Sequence, residues 1–389
     1  MIYVGIDVAK DKHDCHIFDS NGAVLCDFFS FPNSKEGFEE FLSLATRLAK
    51  NKPEKLKFGL EDTGHYSTNL IHFLNANNLD VVRFNPLSVS RSRAALTLRK
   101  TKTDRNDARY IARLLASHTV NYCNKPSRIM HTLKSLTRAR YRLVKELQPL
   151  KNRYRRLIHL LFPEIQGFFS NLYGQAPLNL LALLPGAQPI ASCDIRRLTS
   201  ILKSFSRGRH GKEKAENLKA LAKKSIAFHG DGDAFELTLI AKRIMFYQDQ
   251  IATLESEIIN IMKTINSPIT TIPGIGYVLG AIILAEIGDI HAFDSPSKLL
   301  AFAGCEPSTY QSGKFSATNT PMVKRGSRYL RNALYLATNM AYLHSHVFRV
   351  YIDKKRSQGK HFYTAISHGI KKLSRVIFAI LSQNSVYCE

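Results

Sequence analysis

The sequence lacks the features that mark several common structural classes. Its six cysteines are scattered and include no Cys-x-x-Cys pair, which argues against both a zinc ribbon and a disulfide framework. The longest apolar run, at residues 278–287, is too short to span a bilayer. No internal repeat or low-complexity tract is present. The simplest interpretation is a globular chain whose thiols are reduced and partly buried.

Acidic residues are also scarce. The 389 residues include 31 Asp and Glu against 55 Lys and Arg, which gives a net charge of +24 and a pI near 9.8. This excess favours polyanionic partners, nucleic acid first and an anionic membrane second, and we expect no membrane partner. No signal peptide precedes the first strand-like segment. We therefore expect a cytoplasmic protein that associates with the nucleoid when it acts.

The length allows two or three domains with cores of their own. Residues 1–125 predict a β-hairpin with its turn at Asn21-Gly22, followed by helix, strand, helix, strand and helix. This order is typical of a mixed α/β domain with a central sheet.

Four acidic residues of this domain stand where a sheet gathers ligands. Asp7 and Glu61 each end a predicted strand, and Asp104 and Asp107 lie three residues apart at a predicted helix start, after the potential N-cap Thr103. Ligands of α/β sheets collect at strand ends, and an i, i+3 pair projects from one helix face, so the four acids could converge. Taken singly, each acid could instead be a turn, cap or surface residue.

Cations surround the aspartate pair. They are Lys100, Lys102, Arg105 and Arg109. Carboxylates in a basic setting suit a site where metal ions and phosphates meet, because the acids hold the metal and the cations recruit nucleic acid.

Residues 126–265 predict long, strongly basic helices. A leucine stripe runs through residues 128–163, and a second amphipathic helix covers residues 234–265. Two long helices that flank an insert, residues 194–232, favour an antiparallel coiled coil. Their basic density indicates contact with a nucleic-acid backbone, and the expected contacts include Arg138, Arg142 and Arg153. The alternative is an ordinary helical bundle with a solvated basic face.

The last region, residues 266–389, begins with Ile-Pro-Gly-Ile-Gly at 272–276. This motif resembles the turn of a helix-hairpin-helix, in which the amides of Gly274 and Gly276 would hold a phosphate, and a plain helical corner is the alternative. A loop rich in Gly and Ser, residues 303–326, separates it from helices predicted at 328–342 and 361–381. A serine in a cation-flanked loop could attack a phosphate. The candidates are Ser308, Ser312 and Ser316.

Three N-terminal segments together resemble the blocks of the DEDD transposases, which are insertion-sequence recombinases with a RuvC-like (RNase H-like) N-terminal domain. They read Tyr-Val-Gly-Ile-Asp-Val-Ala-Lys at 3–10, Leu-Glu-Asp-Thr-Gly-His-Tyr at 60–66 and Lys-Thr-Asp-Arg-Asn-Asp-Ala-Arg at 102–109. The C-terminal blocks agree at residues 272–276, 302–304, Pro307, 311–313, Lys324 and 330–331. The resemblance runs in order along nearly the whole chain. The insert at 194–232 is longer than in compact members.

This resemblance implies a RuvC-like domain at 1–125, a coiled-coil middle with an insert at 126–265, and a mostly helical C-terminal transposase domain at 266–389. It implies that Asp7, Glu61, Asp104 and Asp107 bind a divalent metal, Mg²⁺ or Mn²⁺. Ser312 would attack the DNA backbone and form a transient phosphoserine link.

The resemblance also implies partners. A structured non-coding bridge RNA would direct the recombination of DNA. The protein would work as a homo-oligomer, a dimer or tetramer, in which the acids of one protomer meet the serine of another. We further expect cations to contact nucleic acid beside the acids and around the serine loop, namely Lys102, Arg105, Lys314, Lys324, Arg325, Arg328 and Arg331.

Three other functions compete with this interpretation. A RuvC-like nuclease that hydrolyses DNA with water would leave Ser312 structural. An actin-like or sugar-kinase ATPase shares the strand-end aspartate, but no second glycine-rich phosphate loop is visible. An architectural nucleic-acid binder would survive the loss of all four acids, and its affinity would depend on salt alone. We rank the recombinase first.

Overall fold

The computed structural model describes residues 1–61, 65–84, 89, 104–117, 128–228, 230–308, 311–312, 315–316 and 320–389. For residues 104, 311, 312, 315 and 316 it describes the backbone alone. The chain divides into two compact units, Met1–Lys125 and Pro126–Glu389, and each is described by itself.

A five-stranded mixed sheet forms the centre of the first unit. Its strands, in spatial order, are β3 (Val24–Pro32), β2 (Lys12–Asp19), β1 (Ile2–Val8), β4 (Leu56–Glu61) and β5 (Val81–Phe84). β1, β2 and β3 are antiparallel neighbours, whereas β4 and β5 run parallel to β1. The predicted mixed α/β fold of this region is confirmed.

The turn between β2 and β3 lies where the sequence predicts it. The carboxylate of Asp19 accepts hydrogen bonds from the amides of Asn21 and Ala23, both at 2.9 Å. Gly22 has a φ of +87°, in the left-handed region that glycine enters without steric cost.

Helices cover both faces of this sheet. The α-helices in the described part of this unit are α1 (Lys35–Leu48), α2 (Ser67–Ala76) and α3 (Asp104–Ser117). The even-numbered residues of β1 pack with α1 and α2, as Ile6 does in a core with Phe41 and Leu70. Ile111 and Leu115 of α3 belong to a separate buried cluster with Val82 and Phe84 of β5. Since side chains alternate along a strand, the odd-numbered residues of β1 face α3.

The second unit is mostly helical. Its helices are α4 (Arg128–Leu161), α5 (Gln175–Leu183), α6 (Ala187–Ser192), α7 (Ile195–Phe205), α8 (Lys212–Lys223), α9 (Asp231–Ile265), α10 (Tyr277–Ile287), α11 (Pro296–Phe302), α12 (Arg328–His344), α13 (His346–Ser357) and α14 (Phe362–Gln383). Two short strands, β6 (Gln311–Ser312) and β7 (Phe315–Ser316), pair with each other as an antiparallel hairpin. Within the described residues, no helix is long and apolar enough to cross a membrane.

Two long antiparallel helices, α4 and α9, form the frame of this unit. Arg140 pairs with Glu255 near one end, and Arg156 pairs with Glu236 near the other, so the chain order is opposite in the two helices. Pro149 lies inside α4 without ending it. The two predicted long helices are confirmed. The coiled coil predicted for them and the bounds of the insert stay predictions.

Two hydrophobic cores lie along this frame. One joins α4 and α9 to the helices α5 to α8, with Leu157, Leu198 and Leu218 fully buried. The other contains residues of α10 to α14 together with Ile258 and Met262 of α9. The helices α5, α6, α11 and α13 were not predicted from the sequence. The first three are too short to show clear amphipathic periodicity. In α13 the apolar residues Phe348 and Ile352 do recur at helical spacing, and that signal was missed.

Candidate active site

Asp7 and Glu61 lie side by side at the carboxyl ends of two parallel strands. β1 and β4 are in register from Ile2 opposite Leu56 to Ile6 opposite Leu60, so the next residue of each strand is the acid. Both acids are half-buried. Asp7 lies two residues after Gly5, and Glu61 lies two residues after Gly59. Residues two apart in a strand point to the same face of the sheet, so each acid shares the face of its glycine.

That pair of glycines, Gly5 and Gly59, lets α3 lie directly on the sheet. The two stand opposite each other in register. A Cβ on Gly5 would lie 2.3 Å from the carbonyl oxygen of Ala108 and 2.3 Å from the amide of Ala112, and a Cβ on Gly59 would lie 3.3 Å from a methyl of Leu115. The backbones of β1 and α3 are therefore in contact. Asp7 and Glu61 lie on the face that α3 covers.

The first turn of α3 carries the other two predicted acids. Asp107 is 4% exposed and precedes Ala108, the residue whose carbonyl meets Gly5. It shares a buried helical stripe with Ile111, four residues later. Asp104 stands one turn earlier on that stripe, and its side chain lies outside the described residues. The structure thus places Asp7, Glu61 and Asp107 on one side of the sheet.

An ion-pair cluster fixes the orientation of this first turn. Arg109 donates to Oδ1 of Asp27 in β3 at 2.9 Å, and Arg105 donates to the other carboxylate oxygen. The Nδ1–H of buried His16 donates to the Asp27 carbonyl at 2.9 Å. Burial, and then the positive charges of Arg109, Arg113 and Arg105, lower the pKa of His16 to about 4. The imidazole is therefore neutral at pH 7.

The donor chemistry of the acid group fits a divalent cation. Carboxylate oxygens are the ligands that Mg²⁺ and Mn²⁺ prefer. Among the side chains that the structure describes, no three His, Cys, Asp or Glu residues are grouped closely enough to hold a metal ion. The assignment of Asp7, Glu61, Asp104 and Asp107 as ligands stays a prediction.

The candidate serine lies in the hairpin of the second unit. Ser312 pairs with Phe315 and Gln311 pairs with Ser316, so the loop predicted at 303–326 contains a short β-ladder. Ser308 precedes the hairpin, and its amide donates to the carbonyl of Pro321 at 2.8 Å. Three serines thus stand in or beside one small hairpin.

Arg331 of α12 joins the two ends of this loop. Its Nη1 donates to the carbonyls of Ala303, at 3.1 Å, and Lys324, at 3.2 Å. Gly326 has a φ of +141°, and a Cβ there would lie 2.1 Å from the carbonyl oxygen of Phe302. Only glycine fits this close approach. Arg331, predicted as a phosphate contact, has a bracing role in the fold.

A buried carboxylate below the loop connects three helices. Glu286 of α10 is 3% exposed. It accepts from Nε and Nη2 of Arg138, at 2.6 and 3.0 Å, and from the hydroxyl of Ser327, at 2.7 Å. The Ser327 hydroxyl also caps α12 by accepting from the amide of Leu330. Burial raises the pKa of Glu286, but Arg138, Lys134 and Ser327 outweigh it, so that pKa lies below its usual value.

Comparison with known proteins identifies the family. A DEDD transposase model of the IS110 type matches residues 4–163, and a model of the IS116/IS110/IS902 transposase family matches residues 266–353. Together they cover well over half of the chain and hold both candidate site regions. The chain belongs to the IS116/IS110/IS902 family of transposases. It is therefore a DNA-recombining protein of the insertion-sequence type, and the DEDD match suggests a divalent metal.

Two relatives match along nearly their whole length, and a third matches over about half of its length. The 44.8 kDa protein of insertion element IS116 from Streptomyces clavuligerus is 25% identical over 99% of this chain and 96% of its own. A pilin gene-inverting protein of Moraxella bovis is 25% identical over 98% of this chain and 96% of its own. The transposase for insertion sequence element IS1111A of Coxiella burnetii is 24% identical over 61% of this chain and 54% of its own.

Apart from Arg331, the cations predicted to contact nucleic acid in this transposase fall into three groups. Lys102 and Lys314 lie outside the described residues. Arg105, Arg138 and Arg153 form ion pairs within the fold, the last with Glu236 at 3.7 Å. Arg142, Lys324, Arg325 and Arg328 have exposed side chains and form no salt bridge with another described residue. An exposed cation without an acidic partner in the fold is what contact with the phosphates of a nucleic acid requires.

The two glycines of the 272–276 motif differ in their surroundings. Gly274 has a φ of +83°, and a Cβ there would lie 2.7 Å from Met340 of α12, so this glycine packs against a helix. Gly276 caps α10 and has open space around its Cα. Directly before the motif the chain forms one 3₁₀ turn, Pro268–Thr271, and not a longer helix. The reason is that α9 ends at the left-handed Asn266, and Pro268 cannot donate a helical hydrogen bond.

Three residues of the site regions escaped the sequence interpretation. Glu286 is a lone acid in the apolar run 278–287, and Ser327 stands one residue before a predicted helix. Both patterns are signals, one of a buried ion pair and the other of an N-cap. No local pattern distinguishes Asp27, because its partners lie more than 75 residues away.

Proposed function

We propose that this transposase cuts and rejoins DNA through Ser312, with Asp7, Glu61, Asp104 and Asp107 binding the divalent metal. What supports the acid assignment most is the placement of Asp7, Glu61 and Asp107, from β1, β4 and α3, on one side of the sheet. The mixed sheet with helices on both faces supports a RuvC-like (RNase H-like) fold for the first unit.

The proposed chemistry is a phosphoryl transfer to serine. The Ser312 Oγ bonds to phosphorus and loses its proton to a base, while the deoxyribose oxygen leaves with the electrons of the broken P–O bond and takes up a proton. The bound metal would supply positive charge beside the phosphate. The covalent link keeps the energy of the phosphodiester, so a second DNA hydroxyl can reverse the step without ATP.

The proposal also covers the partners of the protein and its assembly. The net charge of +24 supports contact with DNA and with a structured bridge RNA that guides the choice of target. The acids and Ser312 belong to different units of the chain. We therefore include a homo-oligomer, dimer or tetramer, in which one protomer's acids meet another's serine. The division into domains 1–125, 126–265 and 266–389 is part of the same proposal.

The test is a covalent trapping assay. The full-length protein is mixed with RNA transcribed from the sequence flanking its gene, end-labelled junction DNA and Mg²⁺, and then stopped with denaturant. We expect a labelled protein–DNA adduct that disappears in Ser312→Ala and Asp107→Ala and when the metal is chelated. Ser308→Ala and Ser316→Ala are the matched controls, and both should keep the adduct.

The outcomes separate the alternatives. Cleaved DNA without an adduct, unchanged by Ser312→Ala, would indicate a nuclease that uses water. Loss of the adduct in Ser308→Ala or Ser316→Ala alone would move the nucleophile to that serine. DNA binding that survives the loss of all four acids, with no cleavage, would indicate an architectural binder.

A second candidate is site-specific DNA inversion by the same chemistry. The observation that favours it is the similarity to the pilin gene-inverting proteins of Moraxella bovis and Moraxella lacunata over 98% of this chain. A plasmid that carries two element junctions in opposite orientation tests it. Inversion of the intervening DNA supports this candidate, and excision or integration alone contradicts it.

A further inference from the structure

A basic groove crosses the insert, in the part of the chain that neither family model matches. It is an open groove of about 650 Å³, formed by one face of α7 and the turn into α8. Three cations, Arg196, Lys203 and Lys212, line it together with three hydroxyl residues, Thr199, Ser200 and Ser204. No acidic residue lines the groove. These properties make it a site for an anion and not for a metal.

The local sequence explains why the groove is basic. Residues 194–228 contain ten Lys and Arg against three Asp and Glu. The lining positions on α7 recur at 195–196, 199–200 and 203–204, one face of a helix. The opposite face buries Leu198 and Leu202 in the core. The apolar stripe thus fixes the helix, and its polar face is left to line the groove.

Other lysines of the insert serve the fold. The Lys214 ammonium donates to the carbonyl of Phe168 at 2.9 Å and lies 3.9 Å from the centre of its ring, while Lys219 donates to the carbonyl of Cys193. In the groove, only Lys212 has a salt bridge among the described residues, to exposed Glu216 at 3.7 Å. The charge of Arg196 also acts on the exposed carboxylate of Asp194, so Lys203 is the cation most available for a ligand.

The groove has the chemistry of a phosphate and nucleoside site. Arg and Lys bind phosphate oxygens, and hydroxyls of Ser and Thr are common partners of the sugar–phosphate backbone. The hydroxyls of Thr199 and Ser204 donate to the helix carbonyls of Ile195 and Ile201, so their oxygens can still accept from a base amino group or a ribose hydroxyl. The side chain of Ile195 adds an apolar surface.

The lining favours a single strand over a duplex. The open surface of the groove is mostly apolar and lies beside three cations. An unpaired base can lay its face on such a surface while its phosphate meets a cation, whereas a duplex keeps its base faces stacked inside. We propose that this groove binds a single-stranded segment of nucleic acid. The inference does not depend on the roles of the acids or of Ser312.

The test compares two full-length variants with the same change of charge. Arg196→Gln, Lys203→Gln and Lys212→Gln are combined in the groove variant. The control variant combines Lys223→Gln, Lys224→Gln and Lys263→Gln, three exposed lysines outside the groove lining. Fluorescence anisotropy measures binding of a 12-nucleotide RNA, a DNA strand of the same sequence and the corresponding DNA duplex, each at several salt concentrations. Circular dichroism and thermal unfolding confirm that both variants fold.

We expect the groove variant to lose single-strand binding selectively. Each lost phosphate contact lowers the salt slope by about 0.7 for a single strand, so three contacts lower it by about 2. The control slope should stay close to that of the unchanged protein. A loss with RNA alone, DNA alone or both identifies the source of the strand.

Two results would overturn the proposal. An equal change of slope in the groove and control variants would show a general charge effect. A loss confined to the duplex would show that the groove rim serves double-stranded DNA. A 4-thiouridine-labelled RNA provides an independent readout, because its photocrosslinks should map to α7 or the start of α8, and crosslinks elsewhere only would contradict the assignment.

Discussion

Replacing Glu286 by Gln should destabilise the second unit far more than a matched change at a neighbouring ion pair. The substitution keeps the shape of the side chain but removes the charge that accepts two hydrogen bonds from Arg138 and one from Ser327. Breaking a buried ion pair costs about 3–5 kcal/mol. Because the Arg138 side chain is 37% exposed, water recovers part of this, and we expect a loss of about 2–3 kcal/mol.

The matched control is an ion pair whose arginine lies on α4, as Arg138 does. Arg140 pairs with Glu255, and these side chains are 25% and 34% exposed. A pair that water reaches on both sides contributes up to about 1 kcal/mol, so Glu255→Gln should cost no more than that. Urea unfolding followed by circular dichroism at pH 7 gives both free energies of unfolding, and Arg138→Gln completes a double-mutant cycle with Glu286→Gln.

The pH dependence provides a second check. The pKa of Glu286 is lowered in the fold, so its stabilisation is present above the unfolded pKa and is lost as the pH falls through the folded one. The difference in stability between the unchanged protein and Glu286→Gln should therefore shrink below about pH 4.5. A Glu286→Gln cost equal to that of Glu255→Gln, or a cycle without coupling to Arg138, would refute the buried-network reasoning.

Three further predictions follow from the described geometry. Gly274→Ala should lower the free energy of unfolding by about 2 kcal/mol or more, because its Cβ meets Met340, whereas Gly276→Ala, in open space, should cost about 1 kcal/mol or less; equal costs in thermal unfolding would contradict this. His16 has a pKa of about 4 in the fold and about 6.5 when unfolded, so between those pH values the unfolded chain binds one proton more than the folded chain. The free energy of unfolding should therefore fall by up to about 3 kcal/mol as the pH drops from 6.5 to 4. In urea titrations, His16→Gln should make this dependence on pH weaker. Asp27→Asn leaves the two arginines of α3 without their anion, so it should lower the unfolding temperature of the first unit, and an unchanged temperature would show that the cluster is not structural.

Much of the fold and part of the candidate site could be read from local patterns. The strands, the hairpin turn at Gly22 and the two long helices follow from hydrophobic periodicity and turn chemistry, which depend on neighbouring residues. The acids Asp7 and Glu61 were found because a polar residue that ends an apolar strand is conspicuous. The family assignment followed from the joint order of such motifs along the chain.

Only the tertiary structure decided which charges form ion pairs within the fold. In the sequence Arg105 and Arg138 resemble Arg142, but the first two pair with Asp27 and Glu286 across 78 and 148 residues. The register of Gly5 with Gly59, which brings α3 onto β1, and the groove on α7 likewise arise from packing between separate elements. Residue types and spacing determined the chemistry this protein carries. Its arrangement depends on contacts between distant segments, which local periodicity does not encode.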